Sequence, residues 1–219
     1  MATIDPVHPD PRLLLRAADM IRRGRIVAHP TETFYGLATD PFSREGVARL
    51  FEMKGRPRDR SLILLVSHAD QAFDLAMAPG ASRVWLDKLA RAFWPGPLTL
   101  VLPIRRRLDC PALSGADTVA LRVPSHPVAW QLARTTGQPI TSTSANVTGR
   151  PPATSAVQID PALGQHLDLT LDGGPTPGGA GSTLLELTGA RPRILRAGKV
   201  AADAIAAVLG MQPLAGDAA

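Results

Sequence analysis

The chain has 219 residues, 45% of them hydrophobic, and 24 Lys and Arg against 19 Asp and Glu give a formal charge of +5. That length suits one domain, and no apolar run approaches the ~20 residues needed to cross a bilayer. One cysteine, Cys110, excludes an internal disulfide; with no signal-peptide pattern at the start, this fits the cytoplasm, while the positive balance points to an anionic partner, nucleotide or nucleic acid.

Residues 1–11 read as a flexible tail. A helix is expected over 12–23, with Leu14, Leu15, Ala18 and Ile21 inward and Gly24 closing it. A strand over 26–29 should stop at Pro30, which has no N–H to donate; residues 34–37 turn the chain back. A helix over 45–53 buries Val47, Leu50 and Phe51. It delivers Lys54, Arg56, Arg58 and Arg60 just before the apolar run 62–67, the pattern of a strand covered on both faces. A helix over 82–93 must break at Trp94-Pro95-Gly96-Pro97. A strand over 98–104, a polar connection over 105–117, a strand over 118–123 and a helix over 127–134 follow. A short strand over 139–142 ends in Thr143-Ser144-Ala145-Asn146. Beyond a weak helical pattern at 155–160 come a strand over 167–171 and the glycine-rich loop 173–181. Strands over 182–187 and 193–195, a closing helix over 200–209 and a tail over 210–219 complete the chain. Interleaved helices and strands imply an α/β domain over 12–209 with a mixed sheet.

The residues that carry chemistry fall into few groups. No GxxxxGK[ST], GxSxG or HExxH occurs, and the five histidines show no metal-site spacing. Cys110 has no base beside it and reads as an incidental thiol. Lys54, Arg56, Arg58 and Arg60 offer one compact charge and three forked ones, the equipment of a phosphate receptor; a solvated basic loop is the plain alternative. Thr141-Ser142-Thr143-Ser144-Ala145-Asn146 ends a strand with more hydroxyl and amide groups than a cap requires. Arg122 interrupts an apolar strand, where a lone guanidinium is costly unless it meets an anion. Arg105-Arg106-Arg107 reads as a solvated connection, with RNA phosphate contact as the sharper alternative.

The stretches HPTETFYGLATDP, Lys54-x-Arg56, FWPGPLTLVLP, VALRVPSHP, TSTSANVTGRPP, GSTLLEL and ILRAG, in this order, resemble the YrdC/TsaC family of threonylcarbamoyl-AMP synthases over about residues 12–200. The resemblance implies a twisted, mostly parallel sheet with flanking helices around a basic cleft. It implies that L-threonine, bicarbonate and ATP give threonylcarbamoyl-AMP and pyrophosphate, with Mg²⁺ as cofactor. Downstream enzymes would then transfer the threonylcarbamoyl group to tRNA beside the anticodon, and tRNA contact with this chain is possible in principle.

By the same resemblance, Thr33, Arg122, Ser142 and Ser182 would hold threonine. Lys54, Arg56, Arg60, Thr118, Ser144, Pro152 and Arg196 would hold ATP. Lys54, Arg56, Ser144 and Asn146 would form the catalytic set, with Ser144 and Asn146 orienting phosphates and Mg²⁺. Two positions depart from the pattern, Arg60-Ser61 before the strand and Leu65 within it, where many members carry a histidine. The chain also ends just after the expected closing helix, without the C-terminal domain of longer relatives, so closure over the site would come from elsewhere. The competing expectation is an RNA-binding protein that uses the same basic cleft without making an adenylate.

Overall fold

Caps decide where the helices begin and stop in the computed structural model, which describes residues 1–105 and 109–216. Arg106 and Arg107 of the arginine run therefore lie outside the described residues. Strand β1 (Ala2–Thr3) precedes α1 (Pro11–Arg22), whose N-cap Asp10 accepts the N–H of Arg12 at 2.8 Å with Pro11 in the first turn. Strands β2 (Val27–His29) and β3 (Gly36–Ala38) lead to α2 (Arg44–Lys54). Ser43 caps α2 at its start, and Gly55, at φ 55°, reverses the chain after Lys54.

Then come β4 (Ile63–Leu65), α3 (Ala69–Leu75), α4 (Ala81–Phe93), β5 (Leu98–Pro103), β6 (Thr118–Arg122) and α5 (Pro127–Thr136). The chain continues through β7 (Ile140–Thr141), β8 (Thr143–Ser144), α6 (Pro161–Gly164), β9 (Leu169–Asp172), β10 (Thr183–Glu186), β11 (Arg193–Arg196), α7 (Ala202–Leu209) and β12 (Leu214–Ala215).

The strands form two sheets, β1-β9-β2-β3-β8 and β12-β11-β10-β5-β6-β4-β7. The α/β class and the mixed pairing hold, but the expected parallel majority does not. Among the described residues five ladders are parallel and five antiparallel. The reason is local: β2–β3 and β5–β6 are consecutive strands that turn back on each other, and antiparallel pairs need no long crossover.

Helices α1 and α5 pack together over β2, β4, β7 and β9, in a core of Leu14, Ala17, Ala18, Ile21, Leu65, Leu132 and Ile140. Leu15, expected inward, is 57% exposed; the small residue Ala17 takes that place on the buried face. A larger core joins α2, α4 and α7 to β5, β6 and β10 through Leu50, Phe51, Leu86, Leu89, Leu100, Leu121 and Ile205.

Neither expected tail is loose throughout. Ala2 pairs with Leu171 and Thr3 with Asp172, and Ile4 is buried. Leu214 pairs with Arg193 and Ala215 with Ile194. Both terminal strands depend on partners far along the chain, which no local pattern announces. Helix α3 also went unread. It carries no side-chain cap and buries only Ala72 within its span.

Candidate functional site

The two sheets share one length of chain, and the site lies beside it. Residues Ile140 and Thr141 pair with β4 in the seven-stranded sheet; Thr143 and Ser144 pair with β3 in the five-stranded sheet. Ser142 is the step between them, anchored by its N–H to Ile63 O at 2.8 Å. A cavity of ≈ 290 Å³ opens there, lined by Thr31, Thr33, Phe34, Tyr35, Gly36, Arg56, Ser61, Leu62, Ile63, Arg122, Ser142, Thr143, Ser144, Pro152, Gly181, Ser182 and Arg196.

A turn built by hydroxyls forms one wall. Thr31 Oγ1 accepts the N–H of Thr33 at 3.1 Å and donates to Phe34 O at 2.7 Å. Its proton is thereby engaged, so Thr33 Oγ1, 3.0 Å away, donates to it and keeps its own lone pairs for the cavity. Gly178 N–H donates to Thr33 O at 2.8 Å, tying the glycine-rich loop to this turn. Tyr35 does the same from below: its hydroxyl donates to Gly174 O at 2.7 Å and accepts from Gly173 N–H at 3.2 Å. Gly36 is required by close approach. A Cβ there would lie 2.9 Å from Ser142 Oγ and 3.2 Å from His29 Nε2.

Three guanidinium groups give the cavity its positive charge. Arg56 donates from Nη2 to Ser61 O at 2.9 Å and from Nε to Arg60 O at 3.4 Å, which holds its plane. Arg196 grips Ser182, donating to its O at 2.9 Å and its Oγ at 3.1 Å; Thr99 Oγ1 also donates to Ser182 Oγ at 2.8 Å. Arg122, at the end of β6, is 5% exposed. Its Nη2 lies 3.4 Å from Glu32 Oε1, yet Nε, Nη2 and both Glu32 oxygens make no hydrogen bond among the described residues.

Burial lowers the proton affinity of all three arginines. Arg60 and Arg196 add to the effect on Arg56, Arg122 adds to that on Arg196, and Glu32 opposes it on Arg122. Like charges crowded around one cavity are relieved by an anion.

Of the twelve residues expected at the site, eight line the cavity: Thr33, Arg56, Arg122, Ser142, Ser144, Pro152, Ser182 and Arg196. Lys54 and Asn146 stand behind the wall. Nζ of Lys54 donates to Ser144 O, to Asn146 O at 2.6 Å and to Asn146 Oδ1 at 3.3 Å. Arg60 is exposed and outside the lining. Thr118 is also outside it, four residues before Arg122 along β6 and thus about 13 Å up the strand. Leu65 lies fully buried in the core under α1 and α5. Cys110 is buried, its thiol pushed up to about 11 by desolvation, as an inert thiol should be.

Of the two residues expected to orient Mg²⁺ through the phosphates, Ser144 keeps lone pairs at the cavity, but Asn146 has no free acceptor for a metal. Asn146 Oδ1 already accepts from Ser144 Oγ at 2.5 Å and from the Lys54 ammonium, so a cation there would face another cation. Among the described residues no three His, Cys, Asp or Glu side chains gather closely enough to hold a metal ion. No helix among them is long and apolar enough to cross a membrane.

Glu32, Gly36 and His29 escaped the sequence reading. An acid beside two threonines was visible in the sequence, but its pairing with Arg122, 90 positions away, was not. His29 is fully buried, and desolvation pushes it down to about 4. Between pH 6.5 and 4 the unfolded chain therefore binds a proton that the folded chain refuses. Stability is expected to be complete above pH 6.5 and to fall as pH drops through that window, by up to ~1.4 kcal/mol per pH unit. Urea denaturation across this range checks it: His29→Gln should flatten the slope, and an identical slope in that variant would count against the assignment.

Comparison with known proteins concerns the chain as a whole. A family model for the Sua5, YciO and YrdC proteins, described as telomere recombination, matches residues 19–198. A Mycobacterium tuberculosis protein provisionally named threonylcarbamoyl-AMP synthase is 41% identical over 213 residues, covering 95% of both chains. The Pyrococcus abyssi threonylcarbamoyl-AMP synthase is 40% identical over 194 residues, or 89% of this chain but 56% of that protein. The crystal structure of P. abyssi Sua5 complexed with L-threonine superposes with a TM-score of 0.89 at 36% identity, over 98% of this chain and 62% of that one. The chain thus spans little more than half of the archaeal relative.

Proposed function

The chain belongs to the Sua5/YciO/YrdC family, and on that premise we propose that it is a threonylcarbamoyl-AMP synthase, a nucleotidyltransferase. The observation that carries this is the convergence of Arg56, Arg122 and Arg196 on one hydroxyl-lined cavity. The amino group of threonine attacks the carbon of bicarbonate, and water leaves. The resulting carbamate oxygen attacks the α-phosphorus of ATP, and the bond to the β-phosphate oxygen breaks to release pyrophosphate. Every group transferred is anionic, and the site is built of cations and hydroxyls.

In this reading Arg122 pairs with the threonine carboxylate, while Thr33, Ser142 and Ser182 meet the rest of the amino acid. Arg56 and Arg196 face the phosphates and offset the charge that builds at the α-phosphorus. Ser144 presents a lone pair beside them, Pro152 meets the nucleoside, and Arg60 reaches the outer phosphates from outside the wall. The cavity is at the small end of ligand sites, roughly 300–1,000 Å³, so the reacting groups fill it. Magnesium, where the reaction uses it, travels with ATP. No nucleophilic side chain is needed; positioning and charge do the chemistry.

The product is a reactive adenylate that tRNA-modifying enzymes of the cytoplasm consume. Arg56, Arg122 and Arg196 line the cavity, and the named relatives are synthases, so the RNA-binding alternative is not kept.

Pyrophosphate release from ATP is the test. It should require L-threonine and bicarbonate together; release without either, or none with both, would refute the synthase reading.

A further inference from the structure

Lys54 and Arg56 are two residues apart, yet they face different surroundings. Gly55, in the left-handed region, turns the chain so that Arg56 enters the cavity wall while Lys54, 2% exposed, points into the protein. Three oxygen acceptors surround its nitrogen: Ser144 O, Asn146 O and Asn146 Oδ1. Burial, and then Arg56, push Lys54 down to about 7, but only the ammonium has three protons for three acceptors. Main chain reinforces the contact, since Thr148 N–H donates to Lys54 O at 2.9 Å.

Asn146 is equally engaged. Oδ1 receives Lys54 Nζ and Ser144 Oγ, and Nδ2 donates to Val147 O at 3.1 Å and Arg150 O at 2.6 Å. Both lone pairs and both protons of the carboxamide are occupied. Ser144 gives its single proton inward and keeps lone pairs at the cavity, which it lines.

We propose that Lys54 and Asn146 are positioning residues: a buried ammonium and a saturated carboxamide bind the end of α2 to residues 144–150 and hold Ser144 in the wall, and neither touches phosphate or metal. Their effect on turnover rests on the synthase reading; the brace itself does not. It also explains the spacing of the two motifs, since one residue of each pair builds the wall and the other fastens it.

Hydrogen exchange on the ligand-free protein decides between bracing and ligand contact. Lys54→Met keeps the side-chain stem and removes the ammonium; Asn146→Ala removes the carboxamide. Both should speed amide exchange at Asn146, Thr148 and Arg150 at least tenfold, with α1 and α5 unchanged. Wild-type exchange in both variants would overturn the proposal.

Pyrophosphate release gives a second reading. In Lys54→Met, kcat should fall about tenfold with the ATP KM within threefold of wild type. In Asn146→Ala, the Mg²⁺ midpoint at saturating ATP should stay within twofold. A tenfold rise in ATP KM, or a tenfold shift in that midpoint, would restore the direct contacts and overturn the inference. A wild-type protein that releases no pyrophosphate would sink the synthase reading, while the exchange result would still decide the brace.

Discussion

Arg122→Met is expected to weaken L-threonine binding by a factor of about 30 to several thousand. Arg122 sits at the end of an apolar strand, and β4 flanks it with Leu65 paired opposite. Its charge is buried, and Glu32 opposes it at 3.4 Å without closing a hydrogen bond. The guanidinium thus holds unmatched donors toward an anion. Removing one partner of a buried, hydrogen-bonded charge pair costs about 2–5 kcal/mol, and each 1.4 kcal/mol is about tenfold in affinity. The variant leaves Glu32 buried without its counter-charge, which itself destabilises. Arg122→Met combined with Glu32→Gln removes both charges and separates lost binding from lost folding. Calorimetric titration with threonine, alongside thermal melting, measures each effect. A folded Arg122→Met protein with affinity within threefold of wild type would remove Arg122 from the threonine site.

Arg56→Ala should lower kcat by about 10²–10³, the usual effect of deleting one preorganised donor to developing charge. Arg56 is fixed in advance by Ser61 O and Arg60 O, so no reorganisation is needed when charge moves onto the phosphates. Threonine affinity should stay within threefold, because Arg122 lies elsewhere on the wall. Steady-state pyrophosphate release, with threonine titrated separately, makes the distinction. A kcat within fivefold of wild type would count against a transition-state role.

Long amphipathic stretches were readable in the sequence because their signals are local. Helices α1, α2, α4 and α5 carry periodic apolar faces, and a serine, a proline or a terminal glycine marks their ends. Strands β5 and β6 are apolar runs bounded by breakers. Where pairing is long-range, the reading fails. Nothing near Ala2 or Leu214 points to Leu171 or Arg193, and β3 looked like a turn because its register depends on β2 and β8. The division into two sheets was hidden for the same reason.

At the site, Arg122 stood out as a charge in an apolar strand, and the cation cluster stood out by density. Density could not sort the cluster: Lys54 is buried, Arg56 is in the wall, and Arg58 and Arg60 are exposed. Only the path of the backbone at Gly55 separates those roles.

The step at Ser142 has a mechanical consequence. Five consecutive residues, Ile140 to Ser144, are hydrogen-bonded into both sheets, so one sheet cannot slide over the other without pulling on this strap. The width of the cavity is therefore set by how the two sheets sit against each other, more than by any loop at its rim. A ligand that bridges Arg122 on one sheet and Thr33 beside the other would act as a second strap. Binding should then stiffen the whole molecule, and its effect should reach strands far from the pocket.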